Sequence, residues 1–220
     1  MKKVLLTLVA AAMIFSCNKK EGVTPVAPKL NSSFKMDGEM KDSTGRLSAT
    51  SYEVNFTNKT AAFNGTSSYI KLPAEGTIAT PNKLSISLAF KAIYKDATQR
   101  PRLLQLVDEK GNSIEIHLEN SRVVLSNWSE EERKHVAFLM TPSSPDLLKW
   151  HKVVADVDFE ANTISLYLDN QLVKTVSNVV LTKPGNATVI LGRRERLGYA
   201  PSDYYRGEID NLSIVEPEVN

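Results

Sequence analysis

The stretch WHKVVADVDFEANTISLYLDNQLVKT, from Trp150 to Thr175, decides how this chain folds. In HKVVADVDF (His151 to Phe159) apolar residues return at every second position, which is the period of a strand with one face buried. Glu160-Ala161-Asn162 interrupts the run, and TISLYLD (Thr163 to Asp169) resumes it. Asp169-Asn170 then suits a two-residue hairpin that needs positive φ at its centre, and QLVKTVS (Gln171 to Ser177) leads away from it. The same alternation marks LSISLAF (Leu84 to Phe90), RLLQLVD (Arg102 to Asp108), SIEIHLE (Ser113 to Glu119), TVILG (Thr188 to Gly192) and GEIDNLSIV (Gly207 to Val215). Glu109-Lys110-Gly111-Asn112 reads as the turn between two of these strands, and no long amphipathic helix appears. Many short strands with one apolar and one polar face predict an all-β chain, a two-sheet antiparallel β-sandwich.

Composition bounds the rest. A chain of 220 residues with 42% hydrophobic content has one core of ordinary size, so one domain with appendages is expected. Lys2 and Lys3 precede an apolar run, VLLTLVAAAMIF (Val4 to Phe15), too short to span a bilayer and suited to the core of an export signal. Without those two lysines, 25 basic residues face 25 acidic ones, so there is no net basic footprint for nucleic acid. The run ends in Ile14-Phe15-Ser16-Cys17, which resembles the lipobox of bacterial lipoproteins; the single cysteine, Cys17, is then the lipidated mature N-terminus. The expected organisation is a signal peptide over 1–16, a flexible tether over 17–30 carrying Gly22, Pro25 and Pro28, and a sandwich domain over 31–220. Asn18 after Cys17 points by analogy to the outer membrane, on either face.

Four segments, in order, resemble the laminin-G-like jelly rolls of the concanavalin A-like lectin and glucanase superfamily. They are FKMDGEMKDSTGR (Phe34 to Arg46), AAFNGTSSYIKLP (Ala61 to Pro73), the Trp150 to Thr175 stretch with Asn170 where glycine is usual, and YRGEIDNLSIV (Tyr205 to Val215). The resemblance implies the jelly-roll sandwich. It says less about ligand, because this fold hosts lectins, hydrolases, adhesion modules and spacers.

Period two places Glu115, His117 and Glu119 on the strand face opposite Ile114, Ile116 and Leu118. The trio resembles the E-x-D-x-E strand of the superfamily's retaining glucanases, with His117 in place of the aspartate. That gives Glu115 and Glu119 as a catalytic pair, against a solvated strand face or a sugar-contacting strip. Retention wants carboxyls about 5 Å apart, whereas residues four apart on a strand have Cα atoms about 13 Å apart.

Two segments read as binding loops. SNWSEEERK (Ser126 to Lys134) sets Trp128 in a polar context, where its ring could serve as a sugar platform with Asn127, Glu130 and Arg133 taking hydroxyls. GRRERLGYAPSDYYRG (Gly192 to Gly207) concentrates Arg193, Arg194, Arg196, Tyr199, Tyr204 and Tyr205, residue types that recognition sites use; the alternative is a long crossover loop held by its own tyrosines. The resemblance points to Asp210 for a structural calcium, an option it leaves open without requiring it, since Asn211, Ser67 and Ser68 stand where acids are common. No phosphate loop, HExxH helix or nucleophile elbow is present. The reading is a lipid-anchored, non-catalytic envelope module that binds a glycan. A protein-interaction or assembly role is the alternative, and a glycoside hydrolase built on Glu115 and Glu119 ranks third.

Overall fold

The structure, a computed structural model, describes residues 30–94 and 99–217, and Cys17, the signal segment and most of the tether lie outside them. Among the described residues there are seventeen strands and no helix. In chain order they are β1 (Asn31–Lys35), β2 (Lys41–Asp42), β3 (Thr50–Tyr52), β4 (Asn55–Thr57), β5 (Thr60–Asn64), β6 (Tyr69–Leu72), β7 (Ile78–Ala79), β8 (Lys83–Ala92) and β9 (Arg102–Asp108). There follow β10 (Ser113–Glu119), β11 (Arg122–Ser129), β12 (Lys134–Met140), β13 (His151–Asp158), β14 (Thr163–Leu168), β15 (Gln171–Ser177), β16 (Asn186–Leu191) and β17 (Arg206–Val215). A nine-stranded sheet runs β15-β14-β13-β8-β17-β1-β2, with β5 on β17 and β4 on β5; an eight-stranded sheet runs β12-β11-β10-β9-β16-β6-β3, with β7 on β16. Every pairing is antiparallel, so the chain is the expected two-sheet sandwich.

The core lies between the sheets because each contributes one apolar row. Ile86, Leu88 and Phe90 of β8 with Ile209 and Ile214 of β17 meet Leu104 and Leu106 of β9, Ile116 of β10 and Val189 of β16, and all are buried. Eight strands follow the expected alternation to within two residues at either end, and Arg102–Asp108, Ser113–Glu119 and Gln171–Ser177 coincide with it. Turn chemistry follows as well: Asp169 and Asn170 take φ of 51° and 64°, and Gly111 takes 93°. One expectation fails. Ser126 to Lys134, read as a loop, is mostly strand: β11 runs to Ser129, and only Glu130 to Arg133 form the turn into β12. Its polar residues masked the alternation, because this stretch faces a second polar layer, described below.

The first hairpin is held by one carboxylate. Asp42, 3% exposed, accepts from the backbone N–H groups of Ser33, Thr44, Arg46 and Leu47 and from the hydroxyls of Ser32 and Thr44, at 2.6–3.3 Å. Burial pushes its pKa up, but the bonds from Thr44, Leu47 and Ser33 outweigh that and leave it below the ordinary value. Asp42→Ala strands several of these donors and is expected to lower the unfolding free energy by about 2–4 kcal/mol in urea titrations. A loss under about 0.5 kcal/mol would show that the turn closes without it.

Candidate functional site

The face of the eight-stranded sheet turned away from the core carries the site, and the segment from Gly192 to Tyr205 is strapped across it. Glycine fixes both ends. At Gly192, φ is +90° and a Cβ would lie 2.4 Å from the Phe63 ring; just beyond Tyr205, a Cβ on Gly207 would lie 2.2 Å from the Lys91 carbonyl oxygen. Between them, the Gln105 side chain holds the strap near its start: its Oε1 accepts from the Glu195 backbone N–H at 2.7 Å, and its Nε2 donates to the Glu195 carbonyl at 3.0 Å.

Gln105 is itself held by a buried ionic layer. Its Nε2 also donates to Glu115 Oε1, which takes a further bond from the Ser113 hydroxyl, each at 3.0 Å. Glu115 Oε2 lies 3.0 Å from Arg102 Nη2, and both side chains are 1% exposed. Arg194 of the strap approaches Glu115 Oε1 to 3.9 Å and Asp203 to 3.8 Å. Burial raises the Glu115 pKa, yet Arg102 and Arg194, with His117, prevail and keep it below the usual carboxylate range. His117 is 1% exposed, with Nε2 3.7 Å from Glu119 Oε2 and Nδ1 without a partner. Burial, opposed by Glu119 and reinforced by Arg102, lowers its pKa to about 4.

The strand SIEIHLE therefore points its polar residues away from the core as expected, but neither the wet face nor the catalytic pair survives. Glu115 is buried beneath the strap and ion-paired with Arg102, and Glu119 pairs with Arg100 at 2.7 Å, so the two carboxylates face separate arginines rather than a common open space. Two binding assignments are corrected by burial. Asn127 is fully buried and clamps the crossover segment, accepting from Thr182 N–H at 2.8 Å and donating to the Thr182 and Ser113 carbonyls. Tyr205 is fully buried against Phe63, and its hydroxyl donates to the Lys91 carbonyl at 2.9 Å. Trp128 sits on β11, half-buried, with its indole N–H on Glu130 Oε2 at 2.8 Å and its ring edge-on to His135.

The remaining residues scatter. Arg196 lies 4.6 Å from the Tyr199 ring centroid and 6.0 Å from that of Trp128, and Tyr199 is 62% exposed. Tyr204 lines a separate hollow of about 210 Å³ with Asn64, Tyr94 and Arg206, and Arg133 is exposed in the β11–β12 turn. Asp210 lies in a bulge of β17, with its oxygens on the backbone and side-chain nitrogens of Asn211 at 2.7 and 2.8 Å. No group of three or more metal-ligating side chains occurs among the described residues.

What the strap does create is a groove. On its β16–β6 side a cavity of about 470 Å³ is lined by Tyr69, Lys71, Asn186, Thr188, Arg193 and Glu195, among others. A second, of about 310 Å³, shares Val107, Asp108, Glu109 and Glu195 with it and runs on beneath Arg196, Leu197 and Gly198. The Arg193 guanidinium lies 3.4 Å from the Tyr69 ring centroid and pairs with the Glu195 carboxylate. Together the two volumes fall in the range that holds small ligands. Tyr69, Lys71 and Thr188 were not singled out from sequence; the signal was their place on the wet side of strands that pair with each other, which needs the sheet order to read.

The profile of a laminin G family, described as the concanavalin A-like lectin/glucanases superfamily, matches residues 64–219. No curated protein matches the chain by sequence. Among solved structures the chain is similar to domain 4 of AbnA, a GH43 extracellular arabinanase from Geobacillus stearothermophilus, in complex with arabinotriose. There the identity is 20% and the TM-score 0.63, over 87% of this chain and 94% of that one. It is also similar to the heptameric SAP-like pentraxin of Limulus polyphemus (13% identity, 72% and 76% covered, TM-score 0.56). The botulinum neurotoxin serotype D binding domain (16% identity, TM-score 0.65) covers 86% of this chain, which spans 48% of that one.

The depressed His117 pKa sets a pH dependence. The unfolded chain binds a proton at this imidazole below about pH 6.5, whereas the native one does so only near pH 4. Between those values the unfolded state holds more protons, so stability falls as the pH drops, by about 3 kcal/mol over the window. Burial also lowers His135, which contributes a smaller slope of the same sign. In urea titrations from pH 7 to pH 4, His117→Gln is expected to lose most of this slope, and equal slopes in both proteins would refute the assignment.

Proposed function

Because the chain belongs to the concanavalin A-like lectin/glucanases superfamily, we propose that it is a non-catalytic carbohydrate-binding module whose ligand lies in the groove beside the Gly192–Tyr205 strap. The groove itself carries this reading: about 470 Å³ joined to about 310 Å³, open along its length and lined by hydroxyl, amide and charged side chains on a rigid sheet. Such a lining matches the hydroxyl-rich edge of a sugar chain. The arabinotriose bound to the arabinanase domain of similar fold supports a sugar, and the burial of Glu115 supports binding without hydrolysis. A protein partner is the second reading, favoured by Leu148 and Trp150, which are 69% and 43% exposed within one short turn.

The N-terminal reading adds lipid anchoring at Cys17 and an outer-membrane address. An anchored module with weak single sites would gain avidity from crowding on a surface. Thr188→Trp fills the groove floor without touching the core. On a glycan array it is expected to lose at least tenfold in affinity for whatever the native protein binds, at an unchanged thermal midpoint. Native binding that Thr188→Trp leaves intact would move the site elsewhere, and a blank array from folded native protein would favour the protein partner.

A further inference from the structure

The groove is unevenly charged. Lys71 stands half-buried on β6 with no carboxylate within ion-pair distance among the described residues. Tyr69 is two residues away on the same strand face, and Arg193 lies over its ring, so one end of the groove holds an ammonium and a guanidinium together. Only one acid, Glu195, answers these two cations, and it is bound to Arg193. Arg193 Nε is buried and has no partner at all. Thr188 and Thr77 line the middle of the groove and Asn186 its Asp108 end, and none makes a side-chain hydrogen bond.

The acids of the other end do not neutralise this. Asp108 spends both oxygens on its own turn and on Gly185 N–H, at 2.9–3.1 Å. Glu109 lies beyond the end of β9, two strands across from β6 and several residues along, about 15 Å from Lys71 by strand and residue spacings. The aromatic surface here is also committed, since the guanidinium of Arg193 already occupies a face of Tyr69. Recognition at this end must therefore be polar and charged rather than by stacking on that face.

We infer that the groove takes an acidic glycan, with a carboxylate or sulfate group of one sugar unit seated between Lys71 and Arg193. The inference rests on the glycan reading above and names its ligand class. Glu195 holds Arg193 in the free protein as a ligand acid would, and it gives way when the glycan binds. Its backbone stays fixed by Gln105, so the strap need not move. A charged site of this kind weakens as salt rises.

The test is calorimetric titration of the native chain, Lys71→Gln and Glu195→Gln with three trisaccharides: a uronic acid trimer, a sulfated trimer and a neutral one. Lys71→Gln is expected to weaken binding of the acidic ligand about tenfold. Glu195→Gln, which removes the competing carboxylate and keeps the backbone clamp, is expected to tighten it several-fold, a gain that no folding defect can imitate. Half-molar salt should erase most of the difference. Whichever acidic trimer binds identifies the acid as carboxylate or sulfate. Binding of the neutral trimer alone, indifferent to Lys71→Gln, overturns the acidic class and leaves the glycan reading standing. Binding of none of them, together with a blank glycan array, overturns both.

Discussion

Everything on the outer face of the eight-stranded sheet depends on the ion pair between Glu115 and Arg102, 3.0 Å apart and 1% exposed. Two charges taken out of water at that depth recover their hydration only through each other and through further hydrogen bonds, so their neighbours are constrained to be polar and well placed. Ser113 and Gln105 supply such bonds at Glu115 Oε1, and Gln105 is thereby oriented to grip the Glu195 backbone. The strap is thus fixed at Glu195, and the Arg102 backbone N–H fixes it again by donating to the Asp203 carbonyl at 2.9 Å. Removing either charge would leave the other buried alone, a far larger cost than the pair is worth as stability. The pair acts as a positioning device: it decides where the groove wall stands.

The core layer was legible because burial on one face writes a period of two into the strands, and the hairpin at Asp169-Asn170 needed only local backbone chemistry. The ionic layer was not, although part of it was within reach. The turn at Glu109 to Asn112, once accepted, sets a register that brings Gln105 opposite Glu115. What no single strand could disclose is that the polar face would be covered. That follows from a segment some 75 residues downstream folding back across it. The misreading of Ser126 to Lys134 has the same origin. Asn127 and Ser126 look solvated in a linear sequence, yet Asn127 is spent on the crossover at Thr182 and Ser126 lies beneath the second layer. Tyr205 was grouped with its exposed neighbours by composition alone, and it differs from Tyr204 only in which side of the chain faces Phe63.

The sheet order explains why the groove lies where it does. β16 carries short side chains, Thr188 and Ile190, on the outer face, and the strap crosses beside them rather than over them. On the β10–β12 side the same face is filled by His117, His135, Phe138 and Trp128, whose rings pack edge-to-face at 5.0–6.3 Å. One flank is thus packed and the other left open, so the strap divides a single face into a filled side and a groove.

The same layer shows what surrounds the strand that resembles a glucanase motif. A retaining pair needs two carboxyls facing a common space with water excluded only when substrate arrives. Here Glu115 meets a guanidinium from its own neighbouring strand, and the residue between the two glutamates is a histidine kept neutral by burial. A neutral imidazole sits between the two acids without placing a third carboxylate beside them. The histidine and the buried arginine make sense together, because both keep the charges of this face paired beneath the strap.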